Sequence, residues 1–391
     1  MRTRMRVLHL ADVHLGYRAY SRVTQYGINQ READVFQTFE RALELMRGLD
    51  PDLILLAGDL FHTVRPSNLV IHNTFRRLAK LVEATRCPIV MVAGNHESPR
   101  SSEVGCILRL FTNLPRVYVE DAKCQPLRIP EANATVYCVP HRGLESLGQV
   151  VMEPDPASKY NILMLHGTLD GIETGWYDTY VVPRRVVRSD GWDYVACGHY
   201  HKHVQVESRA YYSGSLEYTS PRFWAELDLP KGFVEYNLDE RAKVRFHQVQ
   251  SPRLFEHLGT IDASGLSAAE VNEAIAARLA KPKDGLKDKV VRLVVEAISP
   301  AAKADLDHKL IREARLQALH LDLDLITARR AEGRDGERRE GDGQSRTLEH
   351  EWESFVEERS IPNGVDRARL REMGLSYLAQ AQEELDAAET A

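Results

Sequence analysis

Residues 53–62 read LILLAGDLFH, and the reading of this stretch decides the fold. Five apolar residues make a run of strand length, Gly58 breaks it, and Asp59 and His62 follow in the turn beyond. The same design recurs on either side: residues 7–11 precede Asp12 and His14, and residues 89–93 precede Asn95 and His96. Between these runs, residues 32–47 and 68–83 carry apolar side chains at helical spacing, Val35, Phe39, Leu43 and Met46 in the first. The opening half therefore reads βαβαβ with a parallel sheet. Apolar runs at 135–139, 162–165, 194–197, 210–212, 232–238 and 244–249 follow with few helices between them, which predicts a second sheet packed on the first.

Five segments place an Asp, His or Asn where a strand-like run ends: Asp12-Val13-His14, Gly58-Asp59-Leu60-Phe61-His62, Gly94-Asn95-His96-Glu97, Leu165-His166-Gly167 and Gly198-His199-Tyr200-His201. Sites in open α/β sheets assemble outside the carboxyl ends of strands, so these loops can meet at one point. A lone D-x-H or H-x-H triplet is ordinary, and a single strand-end histidine is more often structural than a ligand. The ordered set is what points to metal. Carboxylate, imidazole and carboxamide donors without thiolate suit Mn, Fe or Zn, and a pair of ions needs a shared carboxylate.

The 391 residues, 43% hydrophobic and 28% charged, allow two or three domains and have the composition of a soluble globular protein. No apolar run approaches the ~18 residues that span a bilayer, and no signal-cleavage pattern opens the chain, so a cytoplasmic protein with no membrane contact is expected. Five cysteines without a C-x-x-C pair argue against a disulfide framework or a thiolate zinc site. A net charge of -6 gives no global basic field, so any DNA contact must be local.

Composition shifts after residue 250. Residues 251–328 read β, α (268–279), β (289–297), α (301–316), β, enough for a small α+β domain. Residues 329–346 are Gly-rich with six Arg against five acidic residues, a flexible and nearly neutral linker. Residues 347–391 read as a helical hairpin, with Trp352, Phe355 and Val356 on one face, a break at Pro362-Asn363-Gly364, and Leu370, Met373 and Tyr377 in a second stripe. An exposed apolar surface at the end of a tether is costly unless it meets a partner.

The segments resemble those of the calcineurin-like metallophosphoesterases from about residue 6 to 249. Within that superfamily the chain is most similar to the SbcD-type DNA repair nucleases, particularly their archaeal relatives. The narrowing residues are Asp12-Val13-His14-Leu15-Gly16, Gly58 to His62 with Arg65-Pro66-Ser67, Gly198-His199-Tyr200-His201-Lys202, and Tyr212-Ser213-Gly214-Ser215-Leu216-Glu217. The resemblance implies an α/β fold, an αββα sandwich of two mixed sheets over residues 1–250, with the small domain as a cap and C-terminal helices. It implies Asp12, His14, Asp59 and His201 as ligands of one divalent ion and Asp59, Asn95, His166 and His199 as ligands of a second, most often manganese. His96 matches the catalytic histidine, the donor of a proton to the leaving alkoxide, and His62 a second histidine that positions the scissile phosphate. Glu97 stands where Asp is usual.

The substrate is less legible. The fold also serves Ser/Thr phosphatases and cyclic-nucleotide phosphodiesterases. The Asp-Arg-Gly that follows the Gly-Asp segment in the phosphatases is absent here. Arg18, Arg22, Arg31, Arg65 and Arg100 lie in or just after the metal-bearing loops with Tyr17, Tyr20 and Tyr26 interleaved. Alone they read as a solvated loop; with the resemblance they become a phosphate-backbone track. The family implies an Mn-dependent endonuclease and 3′ to 5′ exonuclease, a homodimer, and an SMC-like ATPase partner of the SbcC type gripped by Trp352, Phe355, Leu370 and Tyr377. The rival readings are a small-molecule phosphodiesterase and a metal-binding scaffold with a vestigial site.

Overall fold

The computed structural model describes residues 5–99, 105–172, 180–187, 191–239, 243–327, 352–353, 355–357 and 366–389. It opens with β1 (Arg6–Leu10), α1 (Gln30–Gly48), β2 (Leu53–Ala57), α2 (Asn68–Thr85), β3 (Ile89–Val92) and β4 (Val117–Glu120). Then come β5 (Gln125–Ile129), β6 (Ala134–Val139), β7 (Tyr160–His166), β8 (Thr168–Leu169), β9 (Val181–Val182), β10 (Tyr194–Gly198), β11 (Val204–Glu207), β12 (Ala210–Tyr212), β13 (Gly232–Asn237) and β14 (Lys243–Gln248). The βαβαβ opening is present, and each helix runs within two residues of its expected bounds.

Two six-stranded sheets result, ordered β14-β13-β1-β2-β3-β4 and β11-β12-β10-β7-β6-β5. In the first, β1 to β4 are parallel and β13 and β14 antiparallel. In the second, β6, β7, β10 and β12 are parallel, with β5 and β11 antiparallel at the edges. This is the α/β sandwich of two mixed sheets.

β2 is buried throughout because it is covered on both faces. Ile54 and Leu56 pack with Phe39, Leu43 and Met46 of α1 and with Leu78 and Leu81 of α2. Leu53, Leu55 and Ala57 pack instead with Val136, Ile162, Met164 and Ala196 of the second sheet. Each of the larger side chains contributes about 1.5–3 kcal/mol by leaving water. The outer face of the second sheet buries Val139, Leu165 and Val195 with Leu144 and Val187, carried by short 3-10 turns. Asn29 caps α1 by accepting the Arg31 and Glu32 amides, and Ser67 caps α2.

A three-stranded parallel sheet follows: β15 (Phe255–Asp262), β16 (Val290–Ile298) and β17 (His320–Thr327), in that order. α3 (Ala268–Leu279) is the first crossover. The helix expected over 301–316 is two helices, α4 (Pro300–Ala304) and α5 (His308–Gln317). The break arises because Asp307 accepts the Lys309 and Leu310 amides and so starts a new helix.

The small sheet is tied to the sandwich by a buried charge network. Arg31, 1% exposed, meets Asp34 and Glu217, and Arg253 donates to Asp34 at 2.9 Å. Two guanidiniums face two carboxylates, so the cluster is neutral, and removing one member would strand a buried charge. Tyr20 stacks on His320 with ring centres 3.8 Å apart, and Arg22 donates to the carbonyls of Arg315, Leu316 and Ala318.

The chain divides into two compact units, residues 1–329 and 330–391. The expected linker, 329–346, lies outside the described residues. In the second unit, Arg367–Glu389 forms α6. The Trp352 indole lies over Gly374, where a side chain would collide with it, and donates to the Arg371 carbonyl at 3.1 Å. Phe355, Met373 and Tyr377 are exposed. Among the described residues, no helix is long and apolar enough to cross a membrane.

Candidate metal centre

Each expected ligand sits just beyond, or at the end of, a strand. β1 leads to Asp12 and His14, β2 to Asp59, β3 to Asn95 and His96, β7 ends on His166, and β10 leads to His199 and His201. Asp12, His14, Asp59 and His199 all have positive φ, between 51° and 99°. That is costly for residues with a Cβ and persists where surrounding structure enforces it, characteristically at functional sites. Gly58 (φ +89°) leaves room for the His166 ring, which a side chain at that position would strike.

The donors converge. Asp12, His14 and His201 form one group and Asp12, Asp59 and His166 another, with candidate ligand atoms all within 4.8 Å of each other in each group. Asn95 Oδ1 lies 3.0 Å from His166 Nε2 and 3.1 Å from His199 Nδ1. Asp59 Oδ2 is 3.5 Å from His166 Nε2 and 3.9 Å from His14 Nε2. The two Nε2 atoms of His14 and His201 face each other at 3.0 Å.

Hydrogen bonding settles which atoms are free to bind. His166 Nδ1 lies 2.8 Å from the Ala57 carbonyl, which can only accept, so that nitrogen carries a proton. Its Nε2 faces the oxygens of Asn95 and Asp59, which hold a proton on it that a bound cation would replace. Lone pairs aimed at one point want a cation between them, so the residues present fit a divalent metal.

Burial governs the charges. Asp12 is pushed up to about 6, chiefly by burial. His14 is pushed down to about 3 and His62 to about 4, again by burial first. Burial also opposes charge on Asp59 and His166, but their mutual attraction prevails, holding Asp59 low and raising His166 to about 9. His14 and His62 are therefore neutral beside an ionised Asp59, and a cation binding here would displace the proton that Asp59 holds on His166.

His96 and His62 stand at the rim. His96 Nδ1 donates to the His62 carbonyl at 2.7 Å, and the His96 amide donates to Asp59 Oδ1 at 3.0 Å. The His62 ring lies edge-on to Tyr17, 5.0 Å away. A cleft of about 490 Å³ opens here, lined by His14, Tyr17, Asp59, His62, Asn95, His96, His199 and His201 together with Thr219, Ser220 and Pro221.

The candidate arginines fall in different surroundings, Arg18, Arg22 and Arg65 exposed and Arg31 buried. Arg31 is buried in its ion-pair network, so the expectation that it faces DNA is corrected: two carboxylates draw it inward. Arg22 is spent on the carbonyls that end α5, and Arg18 pairs with Glu32. Arg65 is exposed, and Arg100 lies outside the described residues.

Sequence reasoning gave Glu97 little weight. Its buried carboxylate accepts the amides of Asp59 (3.1 Å), Phe61 (2.7 Å) and Gly94 (3.0 Å), clamping two ligand-bearing loops together. Burial and the charge of Asp59 push it up to about 8, against the amides that bind it. His141, in the loop after β6, places its ring 6.5 Å from His199 and 6.4 Å from His166. Its position after an apolar run was the available signal.

The chain is 27% identical over 288 residues to the DNA double-strand break repair protein Mre11 of Methanopyrus kandleri, covering 67% of this chain and 60% of that protein. It is 26% identical over 367 residues to the protein of the same name from Methanosarcina acetivorans, covering 81% and 56%. For the Sulfurisphaera tokodaii protein of that name the figures are 28% over 206 residues, 51% and 49%. The chain thus spans roughly half to 60% of the length of these curated relatives. Residues 5–203, which hold every candidate ligand, match the calcineurin-like phosphoesterase family, and to that family the chain belongs.

Proposed function

We propose that the chain is the nuclease subunit of a DNA double-strand-break repair complex, a manganese-dependent endonuclease and 3′ to 5′ exonuclease acting with an SMC-like ATPase of the SbcC type. The observation that carries this reading is the convergence of Asp12, His14, Asp59, Asn95, His166, His199 and His201 beneath one cleft with His96 at its rim. Similarity to double-strand break repair proteins along most of the chain supports DNA as the substrate.

Divalent cations would be held by Asp12, His14, Asp59 and His201 on one side and by Asp59, Asn95, His166 and His199 on the other. When bound they supply Lewis acidity toward a phosphate oxygen and toward water. The protein's own part is positional. His96 is anchored through Nδ1, so Nε2 is the atom left to give a proton to the departing oxygen. His62, held between His14 and Tyr17, faces the cleft where the phosphate would lie. Glu97 keeps the Asp59 and Asn95 loops in register.

Residues 251–328 would act as the cap and 347–391 as the ATPase-binding hairpin, with Phe355 and Tyr377 exposed for the partner and Trp352 and Leu370 half-buried. The groove of α1 and α2, lined by Leu43, Leu81, Glu40 and Arg77, is where a homodimer would form. The complex would work in the cytoplasm, on the nucleoid.

The test is cleavage of end-labelled duplex and hairpin DNA with manganese, magnesium or chelator, beside His96→Ala and a cyclic nucleotide. Manganese-dependent DNA products absent from the variant are expected. Rapid cyclic-nucleotide turnover without DNA cleavage would replace this reading with a small-molecule phosphodiesterase.

A further inference from the structure

His201 differs from the other candidate ligands in how it is held. A metal-ligating histidine ordinarily donates its second ring nitrogen to an oxygen that fixes the ring, as His166 does to Ala57. His201 Nδ1 is buried with no hydrogen-bond partner among the described residues. The residue also lies beyond the end of β10, outside any strand or helix. Apart from the Nε2 contact with His14, its orientation therefore rests on its backbone.

The backbone has one strong anchor. Lys231 Nζ donates to the His201 carbonyl at 3.0 Å, to Ser215 Oγ at 2.9 Å and to Glu226 Oε2 at 2.6 Å, using all three of its protons. Lys231 is 3% exposed and Glu226 5%. The Ser215 amide reaches the same carbonyl at 3.2 Å. Lys231 immediately precedes β13 in the first sheet, whereas His201 follows β10 in the second, so the ammonium ties the two sheets together under the metal cleft. A buried ammonium is expensive unless its geometry is good, and apolar packing would hold two sheets together more cheaply. Its specific effect here is on a ligand whose second ring nitrogen is buried without a partner among the described residues.

We propose that Lys231 is a positioning residue of the metal centre, whose ammonium holds the His201 carbonyl and thereby sets the affinity for the cation bound by Asp12, His14 and His201. The inference rests on the two-metal reading of the site. It makes the two cation positions unequal: the position served by Asn95, His166 and His199 does not depend on Lys231.

The test is Mn2+ titration of the metal-free full chain, followed by the electron paramagnetic resonance of free Mn2+, for wild type, Lys231→Met, His201→Ala, these two combined, and the charge-free double variant Lys231→Met/Glu226→Gln. The double variant removes both charges, so it decides the matter if Lys231→Met alone does not fold. Wild type is expected to bind two ions. The Lys231 variants are expected to bind one with unchanged Kd and the other about 10- to 100-fold more weakly, with folding confirmed by near-UV circular dichroism. Adding Lys231→Met to His201→Ala should weaken that ion no further than His201→Ala alone, because Lys231 acts through the ligand already removed. Two ions of wild-type affinity in the folded double variant would overturn the role of Lys231 and leave the metal centre standing. No Mn2+ binding by wild type would overturn the metal-centre reading and this inference with it.

Discussion

At the scale of single residues, the site separates side chains that do chemistry from those that hold them in place. On the proposed function, His96→Ala should lower the DNA cleavage rate about 10²- to 10⁴-fold while leaving Mn2+ binding intact, because its Nδ1 is committed to a carbonyl and the backbone amide that holds Asp59 is kept. Parallel cleavage assays and Mn2+ titration check this. Glu97→Ala should act on stability instead. It strands three buried amides at about 1 kcal/mol or more each, so a loss of roughly 3 kcal/mol or greater is expected in urea unfolding. The ligands are recognisable as an ordered set because metal chemistry restricts residue type and each follows a strand. The role of Glu97 is not, since a carboxylate that clamps amides looks in sequence like any other acid. Arg31 shows the converse: in a loop-to-helix stretch rich in Arg and Tyr it reads as exposed, and only the distant Glu217 and Arg253 reveal a reason to bury it.

At the scale of elements, strands and helices follow local pattern closely where both faces are covered. His9 in β1 is an exception to the apolar run. It is fully buried, bonded through Nδ1 to the Tyr194 hydroxyl at 2.9 Å, and pushed down to about 3, chiefly by burial. The unfolded chain takes up that proton near pH 6.5, so its contribution to stability is whole above that pH. It is lost toward pH 3 at up to about 1.4 kcal/mol per pH unit. His9→Gln should flatten the fall in unfolding free energy between pH 6.5 and 4 by about that slope, measured by urea melts at each pH. In the small sheet, Asp307→Ala removes the cap that starts α5 and should cost about 1 kcal/mol. Thermal unfolding monitored in a chain ending at residue 329 would show it. The periodicity over 301–316 hides that break, because apolar positions on two short helices in line mimic one long stripe.

At the scale of the whole molecule, the two compact units carry separate packing. The sandwich and the small sheet have their own buried clusters, and α6 packs on Trp352 within the second unit. Deleting residues 330–391 should therefore leave the melting temperature of the remainder within a few degrees of the full chain and Mn2+ binding unchanged, and, on the proposed function, abolish association with an SbcC-type ATPase. Calorimetry and co-sedimentation with the partner test the two halves of that expectation.

Much about this protein was determined by the sequence alone: the βαβαβ opening, the second sheet, the strand-end positions of the candidate ligands and the family they belong to. Those features reside in periodicity and residue type over spans of ten residues or fewer, where chain neighbours decide the outcome. Tertiary structure decided the rest: Arg31 turned inward, Arg22 committed to the end of α5, Glu97 bridging two loops, and Lys231 reaching from one sheet to a ligand of the other. Each of these is a charged group whose environment is built by residues far away in the chain. The cost of burying a charge, and the partner that offsets it, exist only once those distant segments have come together.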